Sequence, residues 1–96
     1  MTKTLTKDIV VQNRSGVHAR PSTMIVQECN NFKSDIKLRR GGVVADCRSV
    51  LELLSLAACN GSELRLEAVG DDAEEAVSCI VALFEDRFNE DELSMW

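Results

Sequence analysis

Residues 32 to 47 constrain the fold more than any other stretch. Phe32, Ser34, Asp35, Ile36, Lys37 and Leu38 alternate as a strand does, Gly41-Gly42 follows, and Val43-Val44-Ala45-Asp46-Cys47 resumes the extended pattern. Two strand-like runs joined by a Gly-Gly step read as a hairpin, so they pair antiparallel. An isolated hairpin is at best marginally stable in water and needs further strands, or helices, to cover one of its faces.

The flanking segments supply that cover. Leu5, Ile9 and Val11 lie in a Thr-rich stretch that predicts a strand over about residues 4–11, closed by the turn cluster Asn13-Arg14-Ser15-Gly16. Pro21 fits the first turn of a helix, with Met24, Ile25 and Cys29 on one side and Asn30-Asn31 as its stop; His18 then falls at or beside the N-cap. Ser49-Val50-Leu51-Glu52 is a capping-box pattern, with Glu52 reaching back and the apolar residues Leu53, Leu54, Leu56 and Ala57 behind it, up to the stop Asn60-Gly61. Leu64, Leu66 and Ala68 alternate in a further strand, and Asp72-Ala73-Glu74-Glu75 is a second cap-like start. Ala76, Val77, Ile80, Leu83, Phe84 and Phe88 then recur at helical spacing, predicting a helix over about 72–88. The order is β-α-β-β-α-β-α, which implies an α+β fold: a four-stranded, mostly antiparallel sheet covered on one face by three helices. Residues 1–88 are expected to form one domain, since 96 residues have room for a single core. The acidic stretch 89–96 is expected to be a frayed tail.

The net charge of −5 argues against a general nucleic-acid or anionic-membrane binder, but the charge is unevenly placed. Residues 1–48 carry nine Lys/Arg and four Asp/Glu, whereas residues 49–96 carry two and twelve. An anion-seeking site therefore belongs in the first half, with Arg14, Arg20, Arg39, Arg40 and Arg48. The four cysteines are far apart without a CxxC pair and His18 is the only histidine, so no metal or cofactor is expected. Each cysteine reads most simply as a small core residue in a cytoplasmic protein with reduced thiols, without membrane insertion.

The residues that promise chemistry are Gly16-Val17-His18-Ala19-Arg20-Pro21. They put an imidazole where a loop enters a helix, so free backbone N–H groups and the positive end of the dipole converge on it. Such a place suits an anion, and the Arg20 guanidinium can fork onto phosphate oxygens. A positive surrounding disfavours imidazolium and leaves a ring nitrogen able to attack phosphorus. With no acid/base partner for His18, no P-loop and no Ser/His/Asp set, the residues fit a carrier better than an enzyme that turns over a small substrate.

These residues, together with Arg48-Ser49-Val50-Leu51, resemble the HPr phosphocarrier family of the bacterial phosphoenolpyruvate-dependent phosphotransferase system, over nearly the whole chain. The resemblance implies an open-faced β-sandwich in which Enzyme I donates a phosphoryl group to Nδ1 of His18, and a IIA domain of a sugar permease receives it. It makes His18 the phosphoryl carrier, Arg20 with Ala19 the phosphate-stabilising residues, and Gly16 and Pro21 the supports of the loop. Ser49 would be a regulatory phosphosite for an HPr kinase/phosphorylase, besides its bland role as N-cap. Arg14, Arg48, Val50, Leu51 and Leu54 are candidates for docking partners. The family often has alanine after the proline, where this chain has Ser22-Thr23; the more polar first turn would face phosphate or solvent. A small carrier that exchanges partners is expected to be a monomer. An alternative is a regulatory module of the same fold in a nitrogen-related or catabolite-control phosphorelay. An RNA-binding sheet domain is disfavoured, since Phe32, Phe84, Phe88 and Trp96 do not form a stacking pattern on a strand.

Overall fold

The computed structural model describes residues 2–89. Their elements are β1 (Thr4–Val10), α1 (Ala19–Cys29), β2 (Asp35–Arg40), β3 (Val43–Asp46), α2 (Val50–Ser55), β4 (Glu63–Val69) and α3 (Ala73–Glu85), in the expected order. The four strands form one sheet in the order β1-β4-β2-β3, and every neighbouring pair is antiparallel. The Gly41-Gly42 step joins β2 to β3, with Arg40 opposite Val43.

Register follows from which side chains must leave water. Leu64, Leu66 and Ala68 of β4 share a face with Ile36 and Leu38 of β2, and all five are buried under the helices. A shift by one residue would turn that set to solvent. The other face is open and carries interleaved charges. Arg65 bonds Asp8 across β1 and β4 at 3.0 Å, and Arg39 pairs with Glu67 at 3.5 Å, which offsets the direct opposition of Arg39 and Arg65. On the covered face α3 lies over β1 and β4, α2 lies on β3, and α1 packs between the other two helices.

Helix starts and stops depart from the sequence reading in instructive ways. Ser49 is the N-cap of α2 and accepts from the N–H of Glu52 at 3.2 Å. Glu52, however, does not close the box on Ser49. Its carboxylate accepts from the N–H of Asp46 at 3.0 Å, while the Ser49 N–H goes to the Asp46 carbonyl. The turn between β3 and α2 is thereby closed from both sides. α2 itself ends at Ser55, well short of Asn60-Gly61.

Asp72 is the N-cap of α3, yet its side chain caps nothing in that helix. Its carboxylate instead accepts from the N–H groups of Lys33 (2.8 Å) and Ser34 (2.9 Å) and from the Ser34 hydroxyl, fastening the α1–β2 loop to the start of α3. These bonds, the Ser34 hydroxyl foremost, hold its carboxyl below the usual carboxylate range. A depressed folded value stabilises the native state above the unfolded carboxylate value and loses that contribution as pH falls through the folded one. Asp72→Asn is therefore expected to lower the urea midpoint at pH 7, with the gap from wild type shrinking below about pH 4. A pH-independent gap would refute this.

α3 stops at Glu85 rather than near 88. Glu85 and Asp86 place acids at the negative end of the helix dipole, where they oppose its continuation. Arg87, Phe88 and Asn89 then turn left-handed (φ 53°, 52° and 59°), and the fully buried Phe88 ring stands edge-on to Phe84 with centroids 4.9 Å apart. The expected tail beyond Asn89 lies outside the described residues.

Candidate functional site

The loop that presents His18 is held by its neighbours rather than by its own helix. Asn13, fully buried, donates from Nδ2 to the Gly16 carbonyl at 2.6 Å, and Val17 donates to the Ala58 carbonyl at 2.8 Å. Asn60 reaches from the α2–β4 loop to the carbonyls of Gln12 (3.1 Å) and Asn13 (3.4 Å). Gly16 has φ +70°, and a Cβ there would sit 2.3 Å from the Ala58 oxygen. Its glycine is thus required twice, by backbone conformation and by the close approach of the second loop. In the sequence Asn13 read only as a turn residue, and Ala58 carried no signal.

From this clamp the chain enters α1. His18 is the N-cap, in extended conformation, and its side chain makes no capping bond. Pro21, third in the helix, has no N–H to offer. The N–H groups left at this helix start are those of Ala19 and Arg20, and among the described residues nothing accepts from them. His18, Ala19 and Arg20 are all exposed, and no acid occupies the first turn. An anion arriving at the imidazole would meet two peptide donors, the positive helix end and a guanidinium without a competing carboxylate.

The five arginines of the first half separate cleanly. Arg14 and Arg20, both exposed near His18, have no ion-pair or hydrogen-bond partner for their guanidinium groups among the described residues. Arg39 belongs to the open sheet face. Arg40 donates to the carbonyls of Leu56 (3.2 Å) and Ala57 (3.4 Å) just after α2. Arg48, expected to meet partners, is turned inward: it donates to the carbonyls of Ser34 (2.8 Å), Cys29 (3.0 Å) and Phe32. α1 and α2 have no basic residue in their last turns, so these two arginines supply the positive charge that the carbonyl ends lack.

Arg48 also shows that His18 and Ser49 are not neighbours. The start of α2 lies against the end of α1, whereas Ala58, beyond the end of α2, lies against Gly16 and Val17. The two helices run in opposite directions, and α1, with 11 residues, is about 16 Å long. Between these ends α2 exposes Leu51 (80%) and Leu54 (38%), one turn apart, while Val50 is half-buried and offers less than expected.

Ser22 does not face phosphate or solvent. It is fully buried, and its Oγ has no hydrogen-bond partner among the described residues. Thr23 turns its hydroxyl back onto the Ala19 carbonyl at 2.9 Å. Ser22→Ala is expected to raise stability by about 1 kcal/mol, because it removes an unsatisfied buried hydroxyl. A lower urea midpoint would show that the hydroxyl has a role.

Of the four cysteines, Cys29 and Cys47 are buried as expected, but Cys59 is exposed and Cys79 half-exposed. Among the described residues no three His, Cys, Asp or Glu side chains group as metal ligands, and no helix is long and apolar enough to cross a membrane. A concavity of about 410 Å³ lies on the open sheet face, beside Asp8, Val10, Arg39 and Arg65, and includes neither His18 nor Arg20. His18 itself is exposed.

Comparison with known proteins agrees with this geometry. The family model PTS-HPr, "PTS HPr component phosphorylation site", matches residues 5–86. Phosphocarrier protein HPr of Treponema pallidum is 41% identical over 88% of this chain and 97% of its own length. Phosphocarrier protein NPr of Proteus mirabilis is 42% identical over 86% and 93%. The crystal structure of HPr-C-His from Thermoanaerobacter tengcongensis superimposes with a TM-score of 0.82 at 34% identity, covering 91% of this chain and 96% of that one. An open-faced, fully antiparallel sheet with three helices, a family match over most of the chain and close relatives of both names lead to one conclusion: the chain belongs to the HPr family of phosphocarrier proteins.

Proposed function

We propose that His18 accepts a phosphoryl group from phosphorylated Enzyme I and passes it to a IIA domain of a sugar permease, in the cytoplasm and as a monomer. The observation that carries this reading is the start of α1, where His18, Ala19 and Arg20 are all exposed, the first turn holds no acid, and among the described residues nothing accepts from the N–H groups of Ala19 and Arg20. On loading, Nδ1 of His18 attacks phosphorus and the donor's bond to phosphorus breaks; on delivery, the acceptor's nucleophile attacks phosphorus and the Nδ1–P bond breaks, and no water enters either step. Two peptide donors and one guanidinium stabilise the phosphoryl oxygens without making the group too stable to leave. Residues 1–88 act as one domain in this role, and Gly16 and Pro21 hold the loop. Arg14 and the exposed Leu51 and Leu54 meet the partner, a basic and apolar surface for acidic proteins. Arg48 contributes through the fold rather than by contact.

The experiment is to incubate the protein with Enzyme I and labelled phosphoenolpyruvate, then add IIA domains from a sugar branch and a nitrogen branch. An acid-labile, alkali-stable label that moves on to the sugar IIA domain is the expected result. No label with a competent Enzyme I would overturn the carrier reading. Preferential transfer to the nitrogen-branch domain would favour the second reading, which the near-equal identity to an HPr and an NPr keeps in view.

Ser49 is proposed as a regulatory phosphosite for an HPr kinase/phosphorylase. It is half-buried at the start of α2, where phosphate would face the positive helix end and leave the helix intact. Its roughly two negative charges would weaken acceptance from Enzyme I. With such a kinase and ATP, intact mass should rise by one phosphate in wild type and not in Ser49→Ala; equal phosphate in both would sink the idea.

A further inference from the structure

Two loops meet beside His18, residues 11–18 between β1 and α1 and residues 56–62 between α2 and β4. At one end their backbones pair: Val11 donates to the Ser62 carbonyl at 2.9 Å, and Gly61 donates to the Val11 carbonyl at 2.8 Å. At the other end Val17 donates to the Ala58 carbonyl at 2.8 Å. Between these fixed ends the chain turns outward and closes on itself. Gly16 donates to the Asn13 carbonyl at 3.3 Å, and the Asn13 amide donates to the Gly16 carbonyl at 2.6 Å. Such internal bonds set the shape of the turn, but not its position over the second loop.

Asn60, in the second loop, supplies a tie across this gap. Its Nδ2 donates to two successive carbonyls, those of Gln12 at 3.1 Å and Asn13 at 3.4 Å. Both partners are acceptors, so the NH2 end of the amide, with a hydrogen for each, is the end that faces them. The Asn13 carbonyl thus receives the turn's own Gly16 N–H and the Asn60 amide together. Asn60 is exposed, so its side chain contributes these bonds rather than core packing.

We propose that Asn60 is a positioning residue for phosphoryl transfer: it holds the turn against the second loop and, through Gly16 and Val17, sets where His18 meets the phosphorus of its partner. This role rests on His18 being the phosphoryl carrier. Transfer between two proteins requires the attacking nitrogen and phosphorus to be aligned, and a displacement of about 1 Å can cost about 100-fold in rate. Gly16 and Val17 lead directly into His18, so a turn that shifts carries the imidazole with it. Because Asn60 acts through the turn, loss of its bonds lowers the maximal rate of transfer and leaves the affinity for Enzyme I in place.

The test is the rate of label transfer from phosphorylated Enzyme I to the full chain and to its variants Asn60→Ala and Asn60→Asp, measured over a range of carrier concentrations. Asn60→Ala removes the donor, whereas Asn60→Asp keeps the size and turns carboxylate oxygens toward two carbonyls that cannot donate to them. The maximal rate should fall about 10-fold in Asn60→Ala and further in Asn60→Asp, with KM within about 2-fold of wild type. Hydrogen exchange of the Val17 amide should quicken in both variants, which reports the loosened turn in the folded protein. A KM that rises at an unchanged maximal rate would make Asn60 a docking residue and overturn the assignment. So would wild-type rates in both variants, or a wild-type rate in Asn60→Asp beside a slow Asn60→Ala, since size rather than the donated bonds would then matter. Absence of label in the wild type would bring down the carrier role, and this one with it.

Discussion

His18→Ala is expected to take no label from Enzyme I charged with phosphoenolpyruvate, against near-stoichiometric labelling of wild type. The loss should be complete, because among the described residues no second histidine exists to receive the group, and His18 is the chain's only one. The same variant should keep its stability to within about 0.5 kcal/mol, since the side chain is exposed at the surface. An unchanged melting curve with no label separates loss of the acceptor from loss of the fold. Labelling of the variant at the wild-type level would end the assignment of His18. Arg20→Ala is the graded companion. Removing one charge-assisted donor forfeits about 1.5–3 kcal/mol of phosphoryl stabilisation, or roughly 10- to 100-fold in transfer rate, with little effect on folding. A normal transfer rate would remove Arg20 from the site.

Gly16→Ala should cause a large loss of stability for one added carbon. The new methyl group would stand 2.3 Å from the Ala58 oxygen and 2.6 Å from the Cys59 Cα, both backbone atoms that cannot rotate aside, at φ +70°. A left-handed non-glycine residue costs about 1–2 kcal/mol and overpacking about 1–3 kcal/mol, so a loss of about 2–5 kcal/mol is expected. Gly41→Ala is the control: it shares the positive φ (57°) but has open space around it, so only the conformational part should appear. Urea midpoints of the two variants decide the matter, and equal losses would refute the close-packed loop. In the folded fraction of Gly16→Ala, label transfer should also slow, because the loop that aims His18 rests on Ala58.

Much of the fold was legible because its signals are local. Alternation marked β2 and β4, the Gly41-Gly42 step marked the hairpin, and Ser49 marked the start of α2 through a bond to Glu52, three residues away. His18 at the start of α1 was legible for the same reason, since Pro21 limits where that helix can begin. What could not be read were bonds between distant segments. The Asp72 carboxylate looked like the cap of its own helix but holds Lys33 and Ser34. Glu52 reaches past Ser49 to Asp46. Ser22 looked available to phosphate, but its hydroxyl lies inside.

The arginines show where the boundary lies. The sequence by itself determined that positive charge gathers in the first half and that His18, Ala19, Arg20 and Pro21 share one helix turn, because charge count and a 3.6-residue period are properties of neighbouring residues. Only the tertiary structure decided that Arg40 and Arg48 close helix ends, that Arg39 lies on the open face, and that Arg14 and Arg20 stay exposed. The strand order was decided there as well. β4 enters between β1 and β2, since a strand with one apolar face states which face is buried but not which strand will bond each of its edges. Alternation specifies burial, whereas edge pairing and side-chain reach depend on segments far apart in sequence, and it is their packing that leaves His18, Arg14 and Arg20 exposed.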